Sequence, residues 1–453
     1  MTMLRVTQLV NILKRVPLSG ASRDVLVDTA MYSFGPVLKG IGGIVLLKTV
    51  TSHLTPGELA QTDTIISLLA TLSGIMVLGL DQAAGRIYFD DITQDERRSV
   101  LSTAAVIITL TSILAGILLL PVCQIVAAHL LHSPASAILV LLALPLLPLR
   151  NLRDYLSHIL RWSRRRFSYT TLETFSLVAR VALVSLGAAL YGPEGVVLGT
   201  VLACIPAVLL GVVLARNDVA LTFDRRHIRG MLQFGLPMMG PNLLVLVSGL
   251  LDRVFLIHLY SETASGYYIA GLQMASVYEM LSQGFRLAWG PVVASFWDDT
   301  ERVQREFPRL FMTYLVVGGV AIAVLSAAAP YLARILVDPA FYPGHTVIGA
   351  IALGFLTRDL AALLGMPLIR AKRARTIAVA SVTTLFVLIL GHFSLTPRYG
   401  PAGAAIAGVI AHGAGFVVIV VTAQRIARLP YNWTFLFLLY LVSAIAPVLL
   451  LAD

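Results

Sequence analysis

Apolar segments of about 20 residues recur along the whole chain, each long enough for a helix to cross the roughly 30 Å hydrocarbon core of a bilayer. Lipid offers the backbone no hydrogen-bond partner, so segments of this length are read as helices that satisfy their own N–H and C=O groups. Spans are expected near residues 29–50, 64–85, 100–128, 137–160, 170–190 and 195–215, and again near 231–252, 264–288, 308–329, 345–369, 376–396 and 402–423. A thirteenth segment, 433–451, is also long enough. Composition agrees: 57% of the 453 residues are apolar and 13% charged, where soluble domains carry about 25% charged residues. No stretch is polar and long enough to form a separate soluble domain.

The positive charges are distributed by topology. Of the 34 Lys and Arg, 23 fall in the N-terminal tail and in alternate loops, in clusters such as Arg164 to Arg166, Arg225 to Arg229, Arg302 to Arg309 and Arg370 to Arg375. Only Arg334 and Arg398 lie in the other loops. This asymmetry places the N-terminus in the cytoplasm. The formal net charge of +10 is then explained by membrane orientation and attraction to anionic membrane lipids, and a nucleic-acid partner is not implied. In the tail, Val6, Leu9, Val10 and Leu13 share one helical face and Arg5, Lys14 and Arg15 lie off it, which predicts a cytoplasmic amphipathic segment over 1–22. Cys123 and Cys204 sit within apolar spans without metal or redox spacing and read as small hydrophobes.

The chain resembles itself at an offset of about 205. Phe34-Gly35 answers Phe234-Gly235, Arg153-Asp154 answers Arg358-Asp359, and Tyr191-Gly192-Pro193-Glu194-Gly195 answers Tyr399-Gly400-Pro401-Ala402-Gly403. The domains read as a six-helix lobe over 23–216, a cytoplasmic linker over 217–230, a second six-helix lobe over 231–425 and an extra C-terminal helix over 426–453. An even number of spans per repeat makes the halves parallel, related by an axis along the membrane normal, with a cleft between them. The fold class is therefore an all-α polytopic membrane protein of two parallel-repeat six-helix bundles, plus a thirteenth helix. The first span of each half is interrupted at matching places, by Gly35 and Pro36 and by Gly235 and Pro237, which are candidate hinges.

Nine basic residues remain within or at the ends of spans: Lys39, Lys48, Arg86, Arg150, Arg153, Arg180, Arg253, Arg286 and Arg358. The acidic ones are chiefly Asp81, Asp154, Glu173, Asp252, Glu279 and Asp359. A charge at the bilayer centre costs about 2.5–3.5 kcal/mol even on the lenient insertion scale, so each should face a partner or an aqueous cavity. Lys39, Lys48, Arg180 and Arg253 are the leading candidates for a net cationic, substrate-binding cavity. Arg86 and Arg286 either join them or snorkel to headgroups. Arg153-Asp154 and Arg358-Asp359 read as helix-packing pairs. Guanidinium forks suit phosphate, so such a cavity favours an anionic, phosphate-bearing amphiphile. Glu279, Asp252 and Glu173 are candidates to carry a coupling ion, H⁺ or Na⁺, or else neutralise neighbouring arginines.

Enzymatic motifs are absent: the chain holds no HExxH, Walker A loop, GxSxG elbow or zinc spacing, and no cofactor is expected. Phe34-Gly35, Leu251-Asp252-Arg253 followed by Gly266-Tyr267-Tyr268, and the paired YGPEG and YGPAG turns resemble the polysaccharide flippases, which serve O-antigen and exopolysaccharide synthesis. These belong to the multidrug/oligosaccharidyl-lipid/polysaccharide exporter superfamily, the MATE-like or MOP fold. The resemblance covers nearly all of residues 24–425. It implies two lobes in a V around a cationic cavity and a cargo of undecaprenyl-diphosphate-linked oligosaccharide, moved from the inner to the outer leaflet of the bacterial cytoplasmic membrane. Partners are then the lipid-linked anionic glycan, membrane lipids and glycan polymerase or assembly proteins. The alternative within the fold is a multidrug/cation antiporter, whose cationic cargo calls for a carboxylate-dominated cavity. A non-transporting scaffold is a third reading.

Overall fold

Two continuous helices run for 50 and 54 residues. Straight, at 1.5 Å per residue, each would measure about 75–80 Å, more than twice the hydrocarbon core. Each instead folds back on itself at one glycine. The computed structural model describes residues 40–90, 93–131, 133, 136–219, 222–294, 296–297, 299–371, 373–427 and 433–452. Among these the regular structure is helical, with no strand.

In chain order the N-terminal bundle contains α1 (Gly40–Thr51), α2 (Pro56–Met76), α3 (Leu80–Tyr88), α4 (Gln94–Leu119), α5 (Cys123–Leu131), α6 (Ala137–Ala143), α7 (Leu146–Trp162) and the doubled α8 (Arg166–Ala215). The C-terminal bundle contains α9 (Ile228–Met238), α10 (Gly240–Leu259), α11 (Glu262–Ala294), α12 (Thr300–Leu336), α13 (Ile348–Leu364), α14 (Met366–Arg370) and the doubled α15 (Ala374–Ala427). Gln94–Leu131, which includes α4 and α5, is long enough to serve as one span, and the bent α9/α10 pair can serve as another. The added helix α16 (Trp433–Ala452) packs on α12 and α13, where the Tyr440 and Thr357 hydroxyls meet at 2.7 Å. Six of the described helices are long and apolar enough to cross a membrane, seven if the bent α9/α10 pair counts as one. The protein is an all-α, multi-pass membrane protein built from two such bundles. The amphipathic segment 1–22 and the residues Gly35, Pro36 and Lys39 lie outside the described residues.

Local sequence explains the helix starts. Thr55 caps α2 in a reciprocal box: its backbone N–H donates to Glu58 Oε2 at 2.7 Å, Glu58 N–H donates to Thr55 Oγ1 at 3.4 Å, and Pro56 takes the first helical position. Thr93 caps α4 by accepting from Glu96 N–H, and Asp299 caps α12 by accepting from Arg302 N–H. Between the bundles, Asp224 accepts from the Arg226 backbone and side chain, which holds its carboxyl at about 2.

The folds of α8 and α15 share one geometry. Gly192 has φ 55° and ψ −130°, and Gly400 has φ 53° and ψ −129°. These are the angles of the first central residue of a type II′ turn, open to glycine and followed in both repeats by a proline that cannot donate to a continuing helix. The two arms then pack antiparallel, with Gly187 against Gly195 and Gly391 against Ala407. The repeated Tyr-Gly-Pro motif is thus one turn built twice.

The second span breaks between α2 and α3, where Leu78 and Gly79 both take positive φ, 53° and 65°. Gly79 lies directly against Gly235 of α9, where an added Cβ would sit 2.0 Å from the Gly235 carbonyl oxygen. The α9/α10 span bends by 50° just beyond Pro237. Two broken helices, one from each bundle, therefore meet at their breaks. Elsewhere the bundles share a core running from Leu46, Leu47 and Leu59 to Tyr268, Met274, Phe307 and Phe311. Two further clusters, around Tyr155 and Ile159 and around Ile65 and Leu147, lie mainly in the N-terminal bundle and each takes in a buried residue of the C-terminal one, Met231 and Ile257 respectively.

Candidate functional site

Helix α7 is strongly two-faced. Leu147, Tyr155, Leu156, Ile159 and Leu160 are buried on one side. Arg150, Asp154, His158 and Arg161 follow one another at intervals of a helical turn on the other. A polar stripe on a helix inside lipid is tolerated where it faces water or fixed partners. It faces a cavity.

The cavity has two chambers, of about 380 and 370 Å³, which share the wall residues Ala70, Arg150, Asp154 and Glu173. The first is lined by α1, α2, α7 and both arms of α8, with Arg153, Arg180 and Cys204 among its wall residues. The second extends along α2, α3 and α7 past Asp81, His158 and Arg161 to Leu246 of α10 in the other bundle. Within it His158 Nδ1 is 3.9 Å from Asp81 Oδ2.

The arginines of the first chamber are held differently. Arg153 is fixed from three sides: Nη2 donates to Glu173 Oε2 at 3.2 Å, Nε to Ser176 Oγ at 3.4 Å, and Nη1 bonds Asp154. Glu173, 2% exposed, also accepts from Ser157 Oγ at 2.6 Å and is a buried counter-ion to Arg153. Arg150 stands more loosely, 3.8 Å from Asp154 and 43% exposed. Arg180 has no carboxylate within ion-pair distance among the described residues. Among the described residues, three guanidinium groups thus meet two carboxylates, and the surplus positive charge sits in an open chamber.

The matching position in the other bundle is filled. Asp359, 1% exposed, accepts from Arg286 Nη1 at 2.7 Å and from Tyr314 Oη at 2.8 Å. Arg358 Nη2 donates to Glu279 Oε1 at 2.8 Å. Here two arginines meet two carboxylates, with Tyr278 and Phe285 packed against Tyr314.

Polar contacts join the bundles at the end that carries the glycine turns. Arg253 Nε donates to Asp63 Oδ2 at 2.5 Å, Gln61 Nε2 to Glu262 Oε2 at 3.0 Å, and Lys48 Nζ to the Val337 carbonyl at 3.1 Å. Asp252 accepts from Tyr268 Oη at 3.1 Å and meets His392 Nε2 at 3.0 Å. An ionised carboxylate only accepts, so Nε2 donates to Asp252, and Nδ1 lies 3.0 Å from Thr396 Oγ1.

Residues 54–310, more than half of the chain, match the family described as polysaccharide biosynthesis protein. The chain belongs to that family. No curated protein matches it. Among solved structures it is similar to the lipid II flippase MurJ in an inward closed conformation, at 14% identity and TM-score 0.70 over 94% of this chain and 98% of that one. It is also similar to an inward-facing multidrug resistance MATE family transporter of the MOP superfamily, at 12% identity and TM-score 0.67 over 87% of this chain and 94% of that one. A mutant of the MATE transporter VcmN from Vibrio cholerae matches at 16% identity and TM-score 0.61, over 92% and 98%. At these identities the likeness establishes a shared fold.

Within this family member the sequence-derived candidates are dispersed. Arg180 and Glu173 share the first chamber. Lys48 and Arg253 lie in the polar contacts between bundles, Arg86 covers the Phe234 ring at 4.6 Å from its centroid, and Arg286 and Glu279 belong to the filled C-terminal cluster. Gly235 and Pro237 flank the bend of the α9/α10 span. Reading Arg153-Asp154 as a packing pair equivalent to Arg358-Asp359 requires correction: Asp154 is 41% exposed and lines both chambers. The duplication made the dipeptides look equivalent, yet Tyr314 and Arg286 fill the space beside Asp359. The α7 stripe was a local signal that could have found this cavity. Asp63 and His392 carry no such signal, because their partners lie 190 and 140 residues away.

Proposed function

We propose that this protein is a flippase that moves undecaprenyl-diphosphate-linked oligosaccharide from the inner to the outer leaflet of the bacterial cytoplasmic membrane by alternating access. The N-terminus is cytoplasmic on this reading. The observation that carries it is the N-terminal chamber, in which, among the described residues, Arg180 has no carboxylate within ion-pair distance and Arg150 is paired only loosely, at 3.8 Å from Asp154. A diphosphate offers several acceptor oxygens in the geometry that guanidinium forks bind bidentately. Family membership supports a role in polysaccharide synthesis, and the fold shared with a lipid II flippase supports a lipid-linked cargo. The cargo is carried and not chemically changed.

Asp252 and Glu279 are the carboxylates assigned to the coupling ion, H⁺ or Na⁺, with Asp252 positioned to exchange a proton with His392. A cation antiporter would need acids to dominate, whereas the open chamber has an excess of arginine. The test is thermal stabilisation of the purified protein by farnesyl diphosphate, with farnesol and a cationic dye as comparisons. A ligand at 100 times its Kd stabilises by about 2.7 kcal/mol. Stabilisation by the diphosphate alone, lost in Arg180→Ala, is expected; stabilisation by the dye alone would refute the assignment.

A further inference from the structure

The two repeats fill one place differently. On the offset set by Arg153-Asp154 and Arg358-Asp359, Asn151 and His158 of α7 correspond to Leu356 and Leu363 of α13, both buried in the C-terminal core. Leucine therefore serves helix packing at these positions. In the N-terminal bundle they border the second chamber, whose 370 Å³ lies at the small end of ligand pockets, about 300–1,000 Å³.

Three helices bring polar groups to that chamber. Asn151, 5% exposed, has its amide orientation fixed by Ser112, whose Oγ donates to the Ile108 carbonyl at 2.6 Å and so accepts from Asn151 Nδ2 at 2.8 Å. The same Nδ2 reaches the Ser73 carbonyl at 3.4 Å, and Oδ1 is left as an acceptor without a hydrogen bond among the described residues. Ser73 of α2 also lines the chamber, and its buried Oγ has no hydrogen-bond partner among the described residues. Thr62 and Thr71 of the same helix instead donate to carbonyls one turn back, at 2.7 and 2.9 Å. Asp81 of α3 stands 3.9 Å from His158 Nδ1, outside hydrogen-bond length, with 23% of its side chain exposed.

We infer that the second chamber is a sugar subsite, in which Ser73, Asp81 and Asn151 bind hydroxyls of the pyranose ring joined to the diphosphate. This rests on the phosphate-binding reading above. The class of ligand follows from the hydrogen-bonding groups. An ionised carboxylate and an amide oxygen only accept, so they disfavour phosphate and match O–H donors, while the Ser73 hydroxyl can both donate and accept, as sugar hydroxyls do. Arg150 and Arg161 also line the chamber, but they are about three turns and ~16 Å apart along α7 and cannot both grip one phosphate. The chambers share Ala70, Arg150, Asp154 and Glu173, so a ring can occupy this one while its diphosphate occupies the arginine chamber. A head group without the hydroxyls leaves the buried acceptors unpaired, which is how such a site selects.

The experiment compares farnesyl diphosphate with its glucosyl, galactosyl and N-acetylglucosaminyl esters, and with the matching farnesyl glycosides, which carry the ring without phosphate. In the unaltered protein at least one sugar ester should bind tenfold or more tighter than farnesyl diphosphate, the equivalent of one hydrogen bond to a charged group. In Ser73→Ala and in Asp81→Asn that advantage should shrink to threefold or less. No advantage for any ester beside intact farnesyl diphosphate binding overturns the subsite and leaves the phosphate reading standing. An undiminished advantage in both variants places the ring elsewhere and also overturns it. Glycoside binding that weakens in both variants, with no farnesyl diphosphate binding, supports the subsite and refutes the diphosphate cargo. Binding of neither kind of probe overturns both. Failure of both variants to fold would make Ser73 and Asp81 structural and would overturn the subsite.

Discussion

Arg253 Nε lies 2.5 Å from Asp63 Oδ2, tying α10 of the C-terminal bundle to α2 of the N-terminal one. Both side chains are largely withdrawn from solvent, at 10% and 19% exposure. Removing one partner of a buried pair costs about 3–5 kcal/mol because the other charge is left uncompensated. Asp63→Leu and Arg253→Met should each lower the thermal midpoint strongly, and the double variant should recover much of the loss. If the two losses simply add, the pair is not the tie between bundles. Movement that opens this end must break the same contact, so interbundle distances by spin labelling should lengthen here in the double variant.

The two glycine turns give a matched pair of substitutions. Alanine at Gly192 or Gly400 must adopt backbone angles that side chains resist, at a cost of about 1–3 kcal/mol. Around Gly192 an added Cβ meets nothing within 4 Å, whereas at Gly400 it would lie 2.9 Å from the Tyr260 ring. Gly400→Ala should therefore be the more destabilising, and Tyr260→Ala should bring the two variants level. Equal losses in both single variants would remove the steric part of this argument.

Gly79→Ala combines both penalties at the contact between the broken spans. Its φ of 65° is unfavourable for alanine, and the Cβ would meet backbone, the Gly235 carbonyl, which cannot rotate aside. The variant should separate α3 from α9, read as faster hydrogen exchange in residues 78–88 and 228–238. Unchanged exchange and stability would mean that the contact is not tight in the membrane.

What could be read from the chain follows the range of each interaction. Tyr191-Gly192-Pro193 and Tyr399-Gly400-Pro401 specify a turn within a few residues, so both hairpins and the duplication were legible before any coordinates. Helix α16 was legible for the same reason, as a local apolar run. The Arg150-Asp154-His158 stripe is equally local, but the duplication pairs Asp154 with Arg153 and so masks the helix face that Asp154 shares with Arg150 and His158. Arg253 and Asp252 could be singled out as charges out of place in lipid. Their partners Asp63 and His392 could not be assigned, because those contacts are made by tertiary packing.

The most direct measurement is transport in proteoliposomes, following a diphosphate-linked lipid oligosaccharide in one set and a cationic dye in another. The protein should move the glycolipid between leaflets and leave the dye. Arg180→Ala, still inserted and folded, should slow glycolipid movement about tenfold or more, since a hydrogen bond to a charged group is worth about 1.5–3 kcal/mol. Dye transport without glycolipid movement, or an undiminished rate in Arg180→Ala, would contradict the assignment of the N-terminal cavity to a phosphate-bearing cargo.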